Sequence, residues 1–281
     1  MDATLERLLM SLSLTPRGEP QAMAGGDSAT VHWLDTDQGP VVVKRDDPER
    51  LSGEADGLRA LHAASSGLVV PEVHGQQDTW LVMEALQSSR REAGDASALG
   101  DGLRALHALT APDHGWPRDN ACGLTPQPNA ALADGRAFQR ERRLLPLAAA
   151  CQERGLMDAG LRQRIETLAE NLEHWLPDAP ASLLHGDLWS GNVLYTPRGP
   201  ALIDPAVYRH YPEVDLAMLT LFGSPGEAFF EAYWNGSRPD DWPRREALFH
   251  LYPLLNHLLL FGGGYRGGVE RAVEQVEAYQ D

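Results

Sequence analysis

The sequence predicts an α+β chain of two lobes, a small β-rich one first and a larger, mainly helical one after it. Three observations predict it. Residues 20–84 hold short apolar runs separated by turn residues, with one helical stretch among them. From residue 95 onward apolar residues recur mostly at helical spacing. Between the two lies the polar connector Gln87 to Asp95, which sets the N-terminal lobe at 1–85, a hinge near 83–88 and the C-terminal lobe at 89–281. A chain of 281 residues can build such a body, and 43% apolar content excludes a disordered one.

Met1 to Thr15 carries Asp2 and Glu6 and lacks a basic start and a continuous apolar run, so it reads as an amphipathic helix, not an export signal. Gly25-Gly26-Asp27-Ser28 comes next, and its two glycines permit close backbone approach to an anion. Ala29 to Leu34 reads as a strand, Asp35 to Gly39 as a hairpin turn, and Gly39 to Lys44 as a second strand. From Pro48 to Ala64, Leu51, Ala55, Leu58 and Leu61 fall at helical spacing. At about 100° per residue, Glu54 lies inside that apolar stripe, while Asp56 and Arg59 point away. A carboxylate on a buried face requires a partner, and Lys44 is the cation available. Thr79 to Glu84 reads as a buried strand, with Met83 and Glu84 leading into the hinge.

The second lobe opens with a helix from Asp95 to Leu109, in which His107 reads as structural. Pro112 to Asn129 is rich in Pro, Gly and Asn and reads as a surface loop. Phe138 to Leu176 reads as two or more helices broken near Gly155, and Ala181 to Leu184 as the approach to a loop. Tyr208 to Pro212 reads as irregular, and Glu213 to Phe222 as a helix with Asp215 in its first turn. Arg244 to Phe261 is the last large helix, kinked by Pro253 and ended by Gly262-Gly263-Gly264.

Chemistry concentrates in His185-Gly186-Asp187-Leu188-Trp189-Ser190-Gly191-Asn192 and in Ile203-Asp204-Pro205. Phosphoryl transfer needs an orienting carboxylate at the attacking hydroxyl and magnesium against the nucleotide phosphates. Asp187 suits the first role. Asn192 and Asp204 supply hard oxygens, and Mg²⁺ takes only one or two carboxylates from a protein. Val193 to Tyr195 and Ala201 to Ile203 flank a turn-rich stretch, so a hairpin would bring Asn192 and Asp204 together, roughly 5 Å apart. The Asp-to-Asn interval matches the catalytic loop of protein kinases. In the same frame Lys44 meets the α- and β-phosphates of ATP, Glu54 fixes Lys44, Gly25 and Gly26 approach phosphate, and Met83 and Glu84 meet adenine.

A net charge of −16 argues against a nucleic-acid surface. The longest apolar run, Leu248 to Phe261, is 14 residues and too short to span a bilayer. Cys122 and Cys151 show no disulfide or metal-ligand pattern and suggest a reducing compartment, hence a soluble cytoplasmic protein.

Leu184 to Asn192, Ile203 to Tyr208 and Asp215-Leu216-Ala217-Met218 resemble the fructosamine kinase (ketosamine 3-kinase) family. Leu255-Asn256-His257, Phe261 to Tyr265, Gly25-Gly26-Asp27 and Asp119-Asn120 with Gly123 extend the resemblance over nearly the whole chain. The resemblance implies a bilobal protein kinase-like fold and ATP- and Mg²⁺-dependent phosphorylation of a ketosamine 3-hydroxyl, after which the adduct releases its amine. The acceptor would be a small-molecule ketosamine or a glycated protein amine. It also implies that Asp187 is the base, that Asn192 and Asp204 hold magnesium, that Trp189 packs on the sugar or in the core, and that Asp215 braces the catalytic loop. Asn120 enters as a substrate contact or a support. Ala121-Cys122 and Tyr208 to Pro212 depart from the family pattern and bear on which sugar or amine is preferred. Two other readings remain at this point: a kinase of another hydroxylated metabolite or an aminoglycoside, and a nucleotide-binding pseudokinase, which the presence of Lys44, Glu54, Asp187, Asn192 and Asp204 disfavours.

Overall fold

A computed structural model describes residues 2–23 and 29–279. Helix α1 (Ala3–Ser11) begins where Asp2 accepts the N–H groups of Thr4 and Leu5 at 2.9 and 3.0 Å, a cap that satisfies otherwise orphaned donors. Strands β1 (Gln21–Ala22), β2 (Thr30–Thr36), β3 (Gly39–Arg45), β4 (Val73–Gln77) and β5 (Trp80–Glu84) form one antiparallel sheet, with α2 (Pro48–Ala63) between β3 and β4 in sequence. Its order is β1-β2-β3-β5-β4. Alternation along β3 separates two faces. Val41 and Val43 pack with Leu5, Leu8 and Leu9 of α1. On the other face α2 buries Leu51, Ala55, Leu58 and Leu61 with Leu81 and Met83. Each such leucine contributes about 1.5–3 kcal/mol when fully buried.

The remainder comprises α3 (Asp95–His107), β6 (Thr110–Ala111), β7 (Asn120–Cys122), β8 (Thr125–Gln127) and α4 (Gly135–Phe138), which continues through a π-helical turn at Gln139–Leu144 into α5 (Leu145–Glu153). Then come α6 (Ala159–Glu170), β9 (Ala181–Leu184), β10 (Val193–Thr196), β11 (Gly199–Leu202), β12 (Tyr208–His210), α7 (Glu213–Leu221), α8 (Glu227–Tyr233), α9 (Trp242–Phe261) and α10 (Arg266–Ala278). Strands β12, β9 and β6 form a small sheet in that order, and β10 pairs with β11. Residue 69, on the approach to β4, ties the two parts of the chain. The Val69 N–H donates to Pro200 O, and the Leu202 N–H donates to Val69 O, both at 2.9 Å.

Three stretches differ from the sequence expectation. The expected loop at 112–129 contains the β7–β8 hairpin, and Gln127 and Asn129 are fully buried. Tyr208 to His210 is a strand on β9, and its inward residues Tyr208 and His210 are fully buried beside Phe138. These residues therefore face the core, not an acceptor. Past Gly262, where φ is +87°, the chain forms a further helix, α10, whose Val269, Val273 and Val276 complete the core.

Candidate active site

Lys44 stands on β3 opposite Val41 and Val43, so the sheet aims it at α2. Its Nζ lies 2.7 Å from Glu54 Oε2 and 2.9 Å from Asp204 Oδ1. Burial alone would lower the lysine pKa; Glu54 and Asp204 outweigh it and hold the ammonium above its ordinary value. Burial, and then the charge of Asp204, raise the Glu54 carboxyl while Lys44 pulls the other way. Breaking one partner of such a pair leaves an uncompensated buried charge, at a cost of about 3–5 kcal/mol.

Helix α2 reaches this position through its start and its small residues. Asp47 caps it by accepting the N–H groups of Glu49 and Arg50 at 2.9 and 3.2 Å. Gly53 and Gly57 form the face turned to the rest of the molecule. A Cβ on Gly53 would lie 3.1 Å from Asn120 Cβ, and one on Gly57 would lie 2.9 Å from Val207 Cγ2. Asp56, which helical phase pointed away from the stripe, accepts the Trp116 indole N–H at 2.7 Å. Arg118 donates to Ser52 Oγ at 2.8 Å.

The loop after β9 is held from beneath. Asp215, fully buried on α7, accepts the His185 N–H at 2.7 Å and the Gly186 N–H at 2.9 Å. His107 Nε2 completes its shell at 3.1 Å, with Tyr233 Oη on the other ring nitrogen at 2.7 Å. Burial would raise the Asp215 carboxyl; the bond from His107 and the backbone bond outweigh it and hold it below the usual carboxylate range. Burial keeps His185 neutral; its Nε2–H donates to Ile203 O at 2.9 Å, and its Nδ1 accepts the Asp187 N–H at 3.3 Å. Gly186 has φ +84°, and a Cβ there would sit 2.0 Å from Ala206 O. Only glycine fits this turn.

Asp187 follows. Its rim stays partly open while protein atoms crowd the carboxylate, and this burial, with Asp204 nearby, pushes its pKa up to about 7. A carboxylate poised near neutrality suits a general base. Asn192 donates its amide nitrogen to Asp187 O at 2.8 Å and comes within 3.5 Å of Asp204 O, while the Ile203 N–H donates to Asn192 O at 3.1 Å. The β10–β11 hairpin thus closes with Asn192 and Asp204 at one end. Asp204 has φ +52°, a left-handed conformation uncommon for a side-chain-bearing residue. Among the described residues no group of three or more His, Cys, Asp or Glu could hold a metal by itself. The donor set of one amide oxygen and one carboxylate, beside a lysine, fits Mg²⁺ that shares its shell with nucleotide phosphates.

The structure therefore brings Lys44, Glu54, Asp187, Asn192, Asp204 and Asp215 together. Trp189 is 40% exposed, with its indole over Gly191, so it is not a core residue. Asn120 serves as a strut: its Nδ2 donates to Val207 O at 2.8 Å, and its Oδ1 accepts from Asn129 at 2.9 Å. Met83 is buried in the core. The Glu84 N–H is used by Glu72 O at 2.8 Å, and its carboxylate meets Arg198 at 2.7 Å. Gly25 and Gly26 lie outside the described residues. Sequence reasoning tied Ala121-Cys122 to acceptor preference but did not place the Cys122 thiol near the Asp187 carboxylate, where each shifts the other's ionisation. It also missed Arg143, fully buried with its guanidinium 4.2 Å from the Tyr208 ring centre and bonded to Asn129 at 2.7 Å. A thiol inside a Pro- and Gly-rich stretch and an arginine inside a run of five charged or polar letters carry no periodic signal.

An antiparallel sheet with a lysine–glutamate pair, joined to a helical body that carries a braced His-Gly-Asp loop, defines the protein kinase-like class of phosphotransferases. Aminoglycoside phosphotransferase APH(2'')-Ib, solved with ADP bound, shares this fold with a TM-score of 0.63 at 18% identity, over 98% of this chain and 97% of its own. A family profile of fructosamine kinases matches residues 6–278, and the chain belongs to that family. The chloroplastic protein-ribulosamine 3-kinase of Arabidopsis thaliana is 32% identical over 268 residues, 90% of this chain and 81% of its own. A Thermobifida fusca protein assigned as a fructosamine-3-kinase superposes with a TM-score of 0.91 at 29% identity, over 99% of each chain. Membership of a kinase family implies use of ATP. Among the described residues no helix is long and apolar enough to cross a membrane.

Proposed function

We propose that this chain transfers the γ-phosphoryl group of ATP to the 3-hydroxyl of a ketosamine, a fructosamine or ribulosamine adduct, and so promotes deglycation. The observation that carries the reading is the convergence of Asp187 with Lys44, Asn192 and Asp204 in a chain of the fructosamine kinase family. Lys44, held by Glu54, orients the phosphates. Asp187 accepts the proton of the sugar hydroxyl as its oxygen bonds to phosphorus and the bond to ADP breaks. Asp215, through the His185 and Gly186 amides, keeps Asp187 in place. Mg²⁺ bound by Asn192 and Asp204 would neutralise charge on the phosphates. Trp189, exposed beside the base, is the surface on which the sugar ring would lie. The nucleotide lobe ends near residue 85, with residues 83–88 as the hinge along adenine. Two free buried cysteines, Cys122 and Cys151, suit a reducing, cytoplasmic setting.

Magnesium-dependent ATP consumption with fructosyl-lysine and ribulosyl-lysine, run beside Asp187→Ala, tests this. The variant should lose about 10²–10⁴-fold in turnover while still binding ATP. Consumption of an aminoglycoside or another alcohol, with both ketosamines untouched, overturns the reading.

A further inference from the structure

Buried strands usually turn apolar side chains inward, yet the β7–β8 hairpin does the opposite. Burial alternates along Thr125, Pro126, Gln127, Pro128 and Asn129, and the three buried residues are the polar ones. Cys122 pairs with Thr125 and Asn120 with Gln127, so one face of the hairpin carries two amides, a thiol and a hydroxyl. That face meets α9. The Tyr252 hydroxyl donates to Gln127 Oε1 at 3.4 Å, and Asn256 Nδ2 donates to Cys122 O at 3.4 Å and approaches Cys122 Sγ at 3.5 Å. These bonds are long. By contrast Asn129, one rung further, is fully partnered by Asn120, Arg118 O and Arg143.

Thr125 Oγ1, Gln127 Nε2 and Asn256 Oδ1 have no hydrogen-bond partner, although their residues are only 6%, 1% and 3% exposed. A buried polar group left unpaired is costly and calls for an explanation. The three orphans offer a donor, an acceptor and a hydroxyl that is both, and sugar hydroxyls answer all of them. They lie near the base: Cys122 Sγ stands 3.5 Å from Asn256 Nδ2, and the Cys122 thiol and Asp187 carboxylate are close enough to shift each other's ionisation. The hairpin has three residues per strand, and its tip comes near α9 where a Cβ on Gly123 would lie 3.5 Å from Leu260 Cδ1. Asn120 anchors the base of the hairpin, but toward α9 so short an element is held by these long bonds, and that side parts at low cost.

We propose that the acceptor sugar enters between the β7–β8 hairpin and α9, and that Thr125, Gln127 and Asn256 bind the hydroxyls that are not phosphorylated. This rests on the ketosamine kinase reading and adds the residues that recognise the polyol. The near-isosteric changes Thr125→Val and Gln127→Met should each raise the acceptor KM roughly 2- to 10-fold and leave the KM for Mg·ATP unchanged. Ketosamines lacking one sugar hydroxyl give a second measurement: the analogue that lacks the hydroxyl bound by Thr125 should be insensitive to Thr125→Val. Variants that change only thermal stability, with the acceptor KM untouched, would mean that interior water fills these bonds, and the proposal falls. Should the wild type ignore ketosamines, the functional reading fails separately. The same variants are then assayed on the alcohol it does phosphorylate, or by calorimetric titration of that panel into the Mg·AMP-PNP complex, and unchanged acceptor affinity overturns the sugar wall.

Discussion

Replacing Asp215 by Asn isolates the brace beneath the catalytic loop. The carboxylate accepts two backbone N–H groups and the His107 ring within 3.1 Å, in a site closed to solvent. Asparagine keeps the shape but turns an NH₂ toward a donor. At least one charge-assisted bond, worth about 1.5–3 kcal/mol, is lost, and a buried backbone N–H is left unpaired. A total near 2–4 kcal/mol corresponds to a fall in Tm of roughly 3–7 °C for a chain of this size. The kinetic effect follows from position. Gly186 directly precedes Asp187, so a displacement of ~1 Å at the brace reaches the base and costs on the order of 10²-fold in kcat. Differential scanning fluorimetry gives the first quantity. Steady-state phosphorylation at about 20 °C, near the temperature of maximal stability and with ATP binding measured in parallel, gives the second. A lower Tm with unchanged kcat would show that Asp215 supports the fold without setting the loop, and the reasoning would fail.

Gly186→Ala forces a Cβ against Ala206 O at a φ of +84°, so it should destabilise by at least ~1–2 kcal/mol and depress turnover, as urea unfolding and kcat would show; wild-type behaviour would mean that the turn is not fixed. Asp187 predicts a pH effect. Its folded pKa of about 7 lies above the unfolded value of 3.8, so the native state holds a proton that the unfolded chain releases, and stability falls as pH rises from about 4 through 7. Asp187→Asn removes that slope in EDTA. Its stability relative to the wild type should therefore grow across this window, by at most ~4 kcal/mol and by less where solvent screens the open rim. A pH-independent difference would contradict the buried carboxylate.

Much of the site is legible in the sequence because its chemistry is local. Asp187, Asn192 and Asp204 belong to one loop and hairpin, and the phase of Glu54 in α2 announces a buried carboxylate that needs Lys44. What escapes is structure whose inward residues are polar. Thr125, Gln127 and Asn129 alternate as a strand should, but a hydrophobic period cannot register them, and the flanking prolines read as loop. Tyr208 and His210 fail for the same reason, since a buried neutral histidine looks like a surface residue. The partner of Asp56 is invisible for another reason: Trp116 is 60 residues away in sequence, and only tertiary packing brings its indole there.

The seating of α2 settles when the ion pair at the nucleotide site forms. With Gly53 against Asn120, Gly57 against Val207 and Asp56 bonded to Trp116, the helix is pinned along the side it turns to the rest of the molecule. Glu54 needs no added phosphate and no second protein to bring it to Lys44. A helix seated in this way keeps the Lys44–Glu54 pair formed before any substrate arrives.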